Sequence, residues 1–212
     1  MAAKTTGSPA ERRAAARPSA RERLLTAANE LFYAEGVQTV GIDRVIERAG
    51  VAKASLYNTF GSKDELVHAY LQARHAATAG RVRAAVDRHE TPRDRLLGVF
   101  DAQSEAFAGP GYRGCAFIAA GAEAKSGSST EQASDDYRAW VRGVLTDLAR
   151  QAGVADAEAL ARRLQMLYDG AAVSARMDGD IDAAAVAKAA AAALLDAALA
   201  AQDPPESGSR SA

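Results

Sequence analysis

The stretch from Gly41 to Phe60 reads GIDRVIERAGVAKASLYNTF, and its side chains suit the edges of a DNA groove. Ser55 and Asn58 can exchange hydrogen bonds with base edges, and Ala52 and Ala54 can meet thymine methyl groups. Lys53, Tyr57 and the nearby Lys63 suit phosphate oxygens, whose contacts fix register without reading sequence. Thr39 and Arg44 can hold the opposite edge of the groove. Such residues converge only if a short helix carries them outward, and the intervening sequence supplies one. Ile42, Val45, Ile46 and Ala49 recur at helical spacing, with Asp43, Arg44, Glu47 and Arg48 on the other side. Gly50-Val51-Ala52 leaves room only for a tight turn, so a second helix from Lys53 to Phe60 must cross the first steeply. Val51, Leu56 and Phe60 can face a core; Lys53, Ser55, Asn58 and Thr59 cannot all do so. This is the pattern of a helix-turn-helix, with the open N–H groups at the start of its second helix suited to phosphate.

The flanks complete a small domain. A helix is expected from Ser19, a good N-cap after Pro18, through Leu24, Leu25, Ala28, Leu31 and Phe32 to Gly36. Ser62 and Glu65 have the spacing of a capping box and open a long helix through Leu66, Val67, Tyr70 and Leu71 to about Arg88. Leu24, Leu31, Phe32, Ile42, Val45, Ile46, Ala49, Leu56 and Phe60 are the expected core. Six basic residues against two acidic ones between Lys4 and Arg23, and a net charge of +2 over residues 1–65 against −3 for the rest, place the positive end here.

On these residues the chain resembles the DNA-binding domain of the TetR family of transcriptional regulators. The resemblance runs from about Ser19 to Leu71. Its motifs are Ala28-x-x-Leu31-Phe32-x-x-x-Gly36, then Thr39, Ile42 to Ala49-Gly50-Val51, Lys53-Ala54-Ser55-Leu56-Tyr57-x-x-Phe60, and Ser62-Lys63-x-x-Leu66. Ala54 stands where the family commonly has Gly. The resemblance implies a DNA face of Thr39, Lys53, Ser55, Tyr57, Asn58 and Lys63, with Asn58 and Thr59 at the variable positions that set base preference; Gly41, Arg44 and Ala54 are added to that face. It also implies that the rest of the chain is a larger helical domain for ligand binding and dimerisation. The implied protein is a repressor, released from a pseudo-palindromic operator when a small-molecule effector binds. The alternative is a helical protein-interaction adaptor that does not bind DNA.

The remaining sequence fits an all-α protein. It holds 53 alanines and only 6 prolines, which leans the chain to helix. Helices are expected from Pro92 to about Phe107, Gly114 to Lys125, Thr130 to Ala152, Asp156 to Met177 and Ala183 to Ala201. The second of these, CAFIAAGAEA, is apolar nearly all round and reads as central. The domain limits are 1–18 for a disordered basic arm, 19–65 for the helix-turn-helix, 66–201 for the ligand-binding and dimerisation domain, and 202–212 for a disordered tail.

Phe107, Cys115, Phe117, Tyr137, Trp140, Tyr168 and Arg176 are the candidate effector contacts, with Phe100, Gln103, Tyr112 and Met166 of similar character. Leu160, Leu164, Leu167, Leu194, Leu195 and Leu199 on the last two helices are expected to be hidden by pairing of two subunits. One cysteine excludes an internal disulfide. No apolar run reads as reaching the roughly 18–20 residues of a membrane span, and the N-terminus has no signal-peptide core, so a cytoplasmic protein is expected. His68, His75 and His89 have no carboxylate or thiol pattern beside them that would make a metal site. No phosphate loop or nucleophile motif stands out. An enzyme, a metal and a cofactor are therefore not expected.

Overall fold

The structure, a computed structural model, describes residues 18–201. The expected tail, and all but Pro18 of the expected basic arm, lie outside the described residues. Among those described, nine helices follow one another and no strand occurs: α1 Ala20–Glu35, α2 Ile42–Ala49, α3 Lys53–Phe60, α4 Lys63–Val86, α5 Pro92–Ala108, α6 Ala116–Glu123, α7 Ser129–Gln151, α8 Ala157–Met177 and α9 Ala183–Ala200. The chain divides into two compact units between Tyr70 and Leu71, within α4.

In the first unit, local chemistry sets the helix ends. Ser19 and Glu22 form a complete capping box at α1, and the Ser62 hydroxyl accepts from the Glu65 amide at 3.1 Å. Gly50 ends α2 in the left-handed region, at φ 62° and ψ 45°. A residue with a Cβ is strained there, so glycine is what lets α3 begin only three residues later. The core holds Leu24, Phe32, Val45, Ala49 and Leu56 as expected, together with Val37 and the fully buried Val40. Leu31, Ile42, Ile46 and Phe60 are only half-buried. Phe60 instead lies under the Arg21 guanidinium, 5.5 Å from its ring centre, so one of the N-terminal cations covers an aromatic face rather than facing solvent freely. Phe32 and Tyr70 close the unit edge to face, with centroids 5.7 Å apart.

In the second unit, α9 packs on α8 and α5, and α7 packs on α8, α5 and α6. Two sequence expectations change here. The helix read as central, α6, is eight residues long and buries only Ala116, Phe117 and Ala120, while Ala119 and Ala122 are exposed. Alanine is apolar on any scale yet loses little in water, so an Ala-rich segment looks more buried in sequence than it is. Three leucines expected at a subunit interface are also already internal: Leu160, Leu164 and Leu195 are at most 1% exposed within one chain. The apolar groups left uncovered are Met166, Val173 and Met177 of α8, Ile181, and Val186 of α9.

No apolar run of membrane length is expected from the sequence, yet α9 supplies one. By length and composition Ala183–Ala200 is apolar enough to cross a membrane. It carries two charges inside that span, and both are used within the unit. Lys188 binds Asp101 at 2.6 Å, and Asp196 accepts two hydrogen bonds from Arg93, each at 2.8 Å. The helix is thus tied to α5 by ion pairs that its mean hydropathy does not register. Asp101 also lies 3.0 Å from His89. Gly98 makes space for that imidazole: a Cβ at Gly98 would come within 2.8 Å of His89 Cδ2.

Candidate nucleic-acid interface and effector region

Of the ten residues expected at a DNA face, eight are exposed: Thr39, Gly41, Arg44, Lys53, Ala54, Tyr57, Asn58 and Thr59. Ser55 and Lys63 are half-buried. α3 owes this exposure to its sequence. It buries one side chain, Leu56, and leaves the remainder of its eight residues outside or at the margin. Among the described residues no side chain caps its start, so the first amide groups stay open to an anion. Asn58 and Lys63 make no side-chain hydrogen bond or ion pair among the described residues.

The other cations are already engaged. Arg44 donates to both oxygens of Glu35, at 2.7 and 2.9 Å, and this hydrogen bonding holds the Glu35 carboxyl below its usual range. Lys53 lies 3.0 Å from Asp43, and Arg48 lies 2.7 Å from Glu30. Arg23 donates to the Gly50 carbonyl at 3.1 Å and so braces the turn itself. Arg44, read from sequence as a groove contact, is therefore a paired residue in this structure. These pairs are solvent-exposed, and such pairs are weakly held and exchangeable. Thr59, though exposed, is also engaged: its hydroxyl donates to the Ser55 carbonyl at 2.6 Å. That bond leaves the hydroxyl satisfied within α3, and its one trace in the sequence is a threonine four residues after a helical carbonyl.

In the second unit four of the seven expected effector contacts come together. Phe117 stacks on Tyr137, with centroids 3.8 Å apart and planes within 4°. Tyr137 neighbours Trp140 at 5.7 Å, and its hydroxyl lies 3.4 Å from that of Tyr168. Burial pushes the Tyr168 phenol up to about 12 and Tyr137 well above its usual value, so both remain protonated donors. His75, which sequence reasoning weighed only as a metal ligand, fills the centre of this cluster. Its ring sits 4.8 Å from Trp140 and 5.5 Å from Tyr137. Burial lowers its pKa, with the Asp136 charge opposing. A lone histidine on a helix gives no pattern from which this cage could be read.

Gln103 is buried, and its amide donates to the Tyr168 carbonyl at 2.7 Å. Among the described residues its side-chain oxygen has no partner. A buried, unsatisfied acceptor costs on the order of 1–3 kcal/mol, so an O–H or N–H donor placed there would be held. Phe107 packs on Tyr112 at 4.7 Å. Burial raises the Cys115 thiol, which keeps it protonated and opposes reactivity. Arg176 and Met166 lie at the surface; the Arg176 stem instead covers Gly114, 3.1 to 3.3 Å from where a Cβ would stand.

These two units define a class, an all-helical protein with an exposed helix-turn-helix at its N-terminal end and a larger helical unit after it. Residues 24–70 match the family described as "Bacterial regulatory proteins, tetR family". The crystal structure of SCO4454, a TetR-family transcriptional regulator from Streptomyces coelicolor, superposes with a TM-score of 0.79 at 33% identity, covering 84% of this chain and 95% of that one. A regulator structure from Streptomyces avermitilis gives 0.77 at 33% identity, over 85% and 98%. The chain belongs to the TetR family. Curated relatives match over a shorter length. The transcriptional activator FasR of Mycolicibacterium smegmatis is 38% identical over 86 residues, 41% of this chain and 39% of that protein. The repressor KstR2 of Mycobacterium tuberculosis is 34% identical over 88 residues, 42% and 44%. The match thus spans less than half the length of either.

Proposed function

We propose that this chain is a DNA-binding transcriptional regulator of the cytoplasm, acting as a homodimeric repressor that a small-molecule effector releases from its operator. The observation that carries the reading is α3, an eight-residue helix anchored by one leucine with Asn58, Tyr57 and Ala54 turned to solvent. In this reading Asn58 reads a base edge, while Lys63 and the α3 amide groups hold phosphate. The effector enters among the aromatic side chains of the second unit and donates a hydrogen bond to Gln103. Occupancy shifts α4, the helix common to both units, and so the spacing of two recognition helices in the dimer.

A mobility-shift titration on the DNA upstream of the chain's own coding region tests this reading; no shift at low salt on that DNA or on any neighbouring promoter would favour an adaptor instead. Lys63→Ala is expected to weaken binding to all sequences alike and to lower the slope of log K against log salt by about one unit. An unchanged slope removes Lys63 from the phosphate contacts. Asn58→Ala is expected to relax base preference at one position in each half-site, at about 1–3 kcal/mol of discrimination. Uniform weakening across a randomised operator library would rule that role out.

Pairing is assigned to the uncovered face of α8 and α9, where Met177 and Val186 are 78% and 67% exposed and Ala185, Ala189, Ala193 and Ala197 are also exposed. Small side chains let two helices approach closely, and a two-fold pair covers the same patch on both copies. Sedimentation equilibrium at micromolar concentration is expected to give a dimer, and Val186→Glu a monomer. A monomeric parent protein would contradict the assignment.

A further inference from the structure

Between the C-terminal half of α4 and α7 lies a recess of about 370 Å³, and of the aromatic cluster only Trp140 borders it. Its floor is apolar. Val82, Val86 and Leu148 are each no more than 7% exposed, and Val144 and Trp140 complete the lining at half burial. Its rim is charged, and the charges are unevenly matched. Arg83 has no acidic partner among the described residues. Arg95 is loosely held, 3.9 Å from Asp87 and 3.4 Å from the Gln151 side-chain oxygen. Asp147, the other rim acid, is taken by Arg150 at 3.3 Å. One guanidinium is therefore free and a second is poorly satisfied at the mouth of an apolar hollow.

We propose that this recess binds a small amphipathic carboxylate, with its apolar body on the Trp140 and Leu148 floor and its carboxylate against Arg83 and Arg95. The size favours a body of one or two rings, because 370 Å³ is near the lower end of the roughly 300–1,000 Å³ of ligand pockets. The rim carries Arg83 and Arg95 against Asp87 and Asp147, but Asp147 is paired with Arg150 and Asp87 faces Arg95, so the unmatched group is the Arg83 guanidinium, whose fork a planar carboxylate matches with two parallel hydrogen bonds. An uncharged molecule would leave Arg83 unpaired. The occupant would rest on the same indole that packs on His75 at 4.8 Å, so its binding would bear directly on the ring that borders the aromatic cluster. The site stands apart from the DNA-binding reading and from the Gln103 acceptor.

The chain has one tryptophan, so a nitrogen-15 spectrum shows one indole N–H signal to follow. The full chain would be titrated with 2-naphthoate and with its uncharged analogue 2-naphthamide. The expected result is a saturable indole shift with naphthoate that Arg83→Gln weakens about ten-fold, the naphthamide response changing by less than about two-fold. Ala79→Leu, which fills the recess, is expected to weaken both probes, and Gln103→Leu to leave both unchanged. A non-saturating shift, equal affinity for the two probes, or a response lost in Gln103→Leu and kept in Arg83→Gln would overturn the proposal. Arg83 is exposed, so its variant keeps the fold and carries the test by itself. Failure here leaves the DNA mobility shift untouched, and the two readings are separable.

Discussion

Leu56→Ala is expected to destabilise the first unit by about 2–5 kcal/mol and to abolish DNA binding. α3 has eight residues and no side-chain cap, and a helix this short does not persist in water alone. Leu56, with no exposed surface, is the one buried side chain that fixes it to α1 and α2. Phe60 adds a half-buried contact beneath Arg21. The loss is large against a native stability of roughly 5–15 kcal/mol. Denaturant titration followed by circular dichroism gives the stability, and fluorescence anisotropy on labelled DNA gives the affinity. Leu56→Met, which keeps the volume, is expected to cost less than about 1.5 kcal/mol and to retain binding. If the Ala variant stays within about 1 kcal/mol of the parent, α3 is anchored by something other than this side chain.

Asp101→Asn is expected to cost about 1.5–3 kcal/mol near neutral pH, and its cost is expected to shrink as the solution is acidified. Burial pushes the Asp101 carboxyl up, but hydrogen bonds from Lys188 and His89 outweigh it and hold the group below its usual value. A carboxylate with a depressed folded pKa contributes stability that is present above the unfolded pKa, about 3.9, and is lost as the pH falls through the folded pKa. Asn keeps the shape and removes the charge, leaving Lys188 and His89 with a neutral neighbour. The gap between parent and variant should therefore be widest at pH 7 and narrow toward pH 3. Denaturation at both pH values measures it, and a gap that stays constant would mean the carboxylate is not stabilised by these partners.

The helix ends were legible because they are written in short-range chemistry. Ser19, Ser62 and Thr91 each accept from an amide three residues on, and Pro92 and Gly50 act through their own backbone preferences. The exposed face of α3 was legible for a related reason: an eight-residue helix bracketed by Gly50 and Gly61, with one leucine suited to burial. Long-range arrangement was less so. Asp101 meets His89 across 12 residues and Lys188 across 87, and no spacing rule links the three. On α8 and α9 alanine is so frequent that no stripe distinguishes the inward side, and three of the six leucines assigned to a subunit interface proved to be core. The aromatic residues of the second unit were identified by type, while their grouping around His75 needed the helices to be packed.

Arg44 and Lys53 carry a consequence for the search along DNA. Each already has a carboxylate within 3.0 Å, so this surface brings its own counter-ions. On the proposed DNA-binding reading, a phosphate that displaced Glu35 or Asp43 would leave the freed acid to gather a cation from solution, offsetting the ion released from the DNA. Those two residues then add little of the entropic pull that draws basic proteins to any duplex. On that reading random sequence would meet a largely self-neutralised surface, and a site that fits α3 closely enough to make the exchange worthwhile would be held longest.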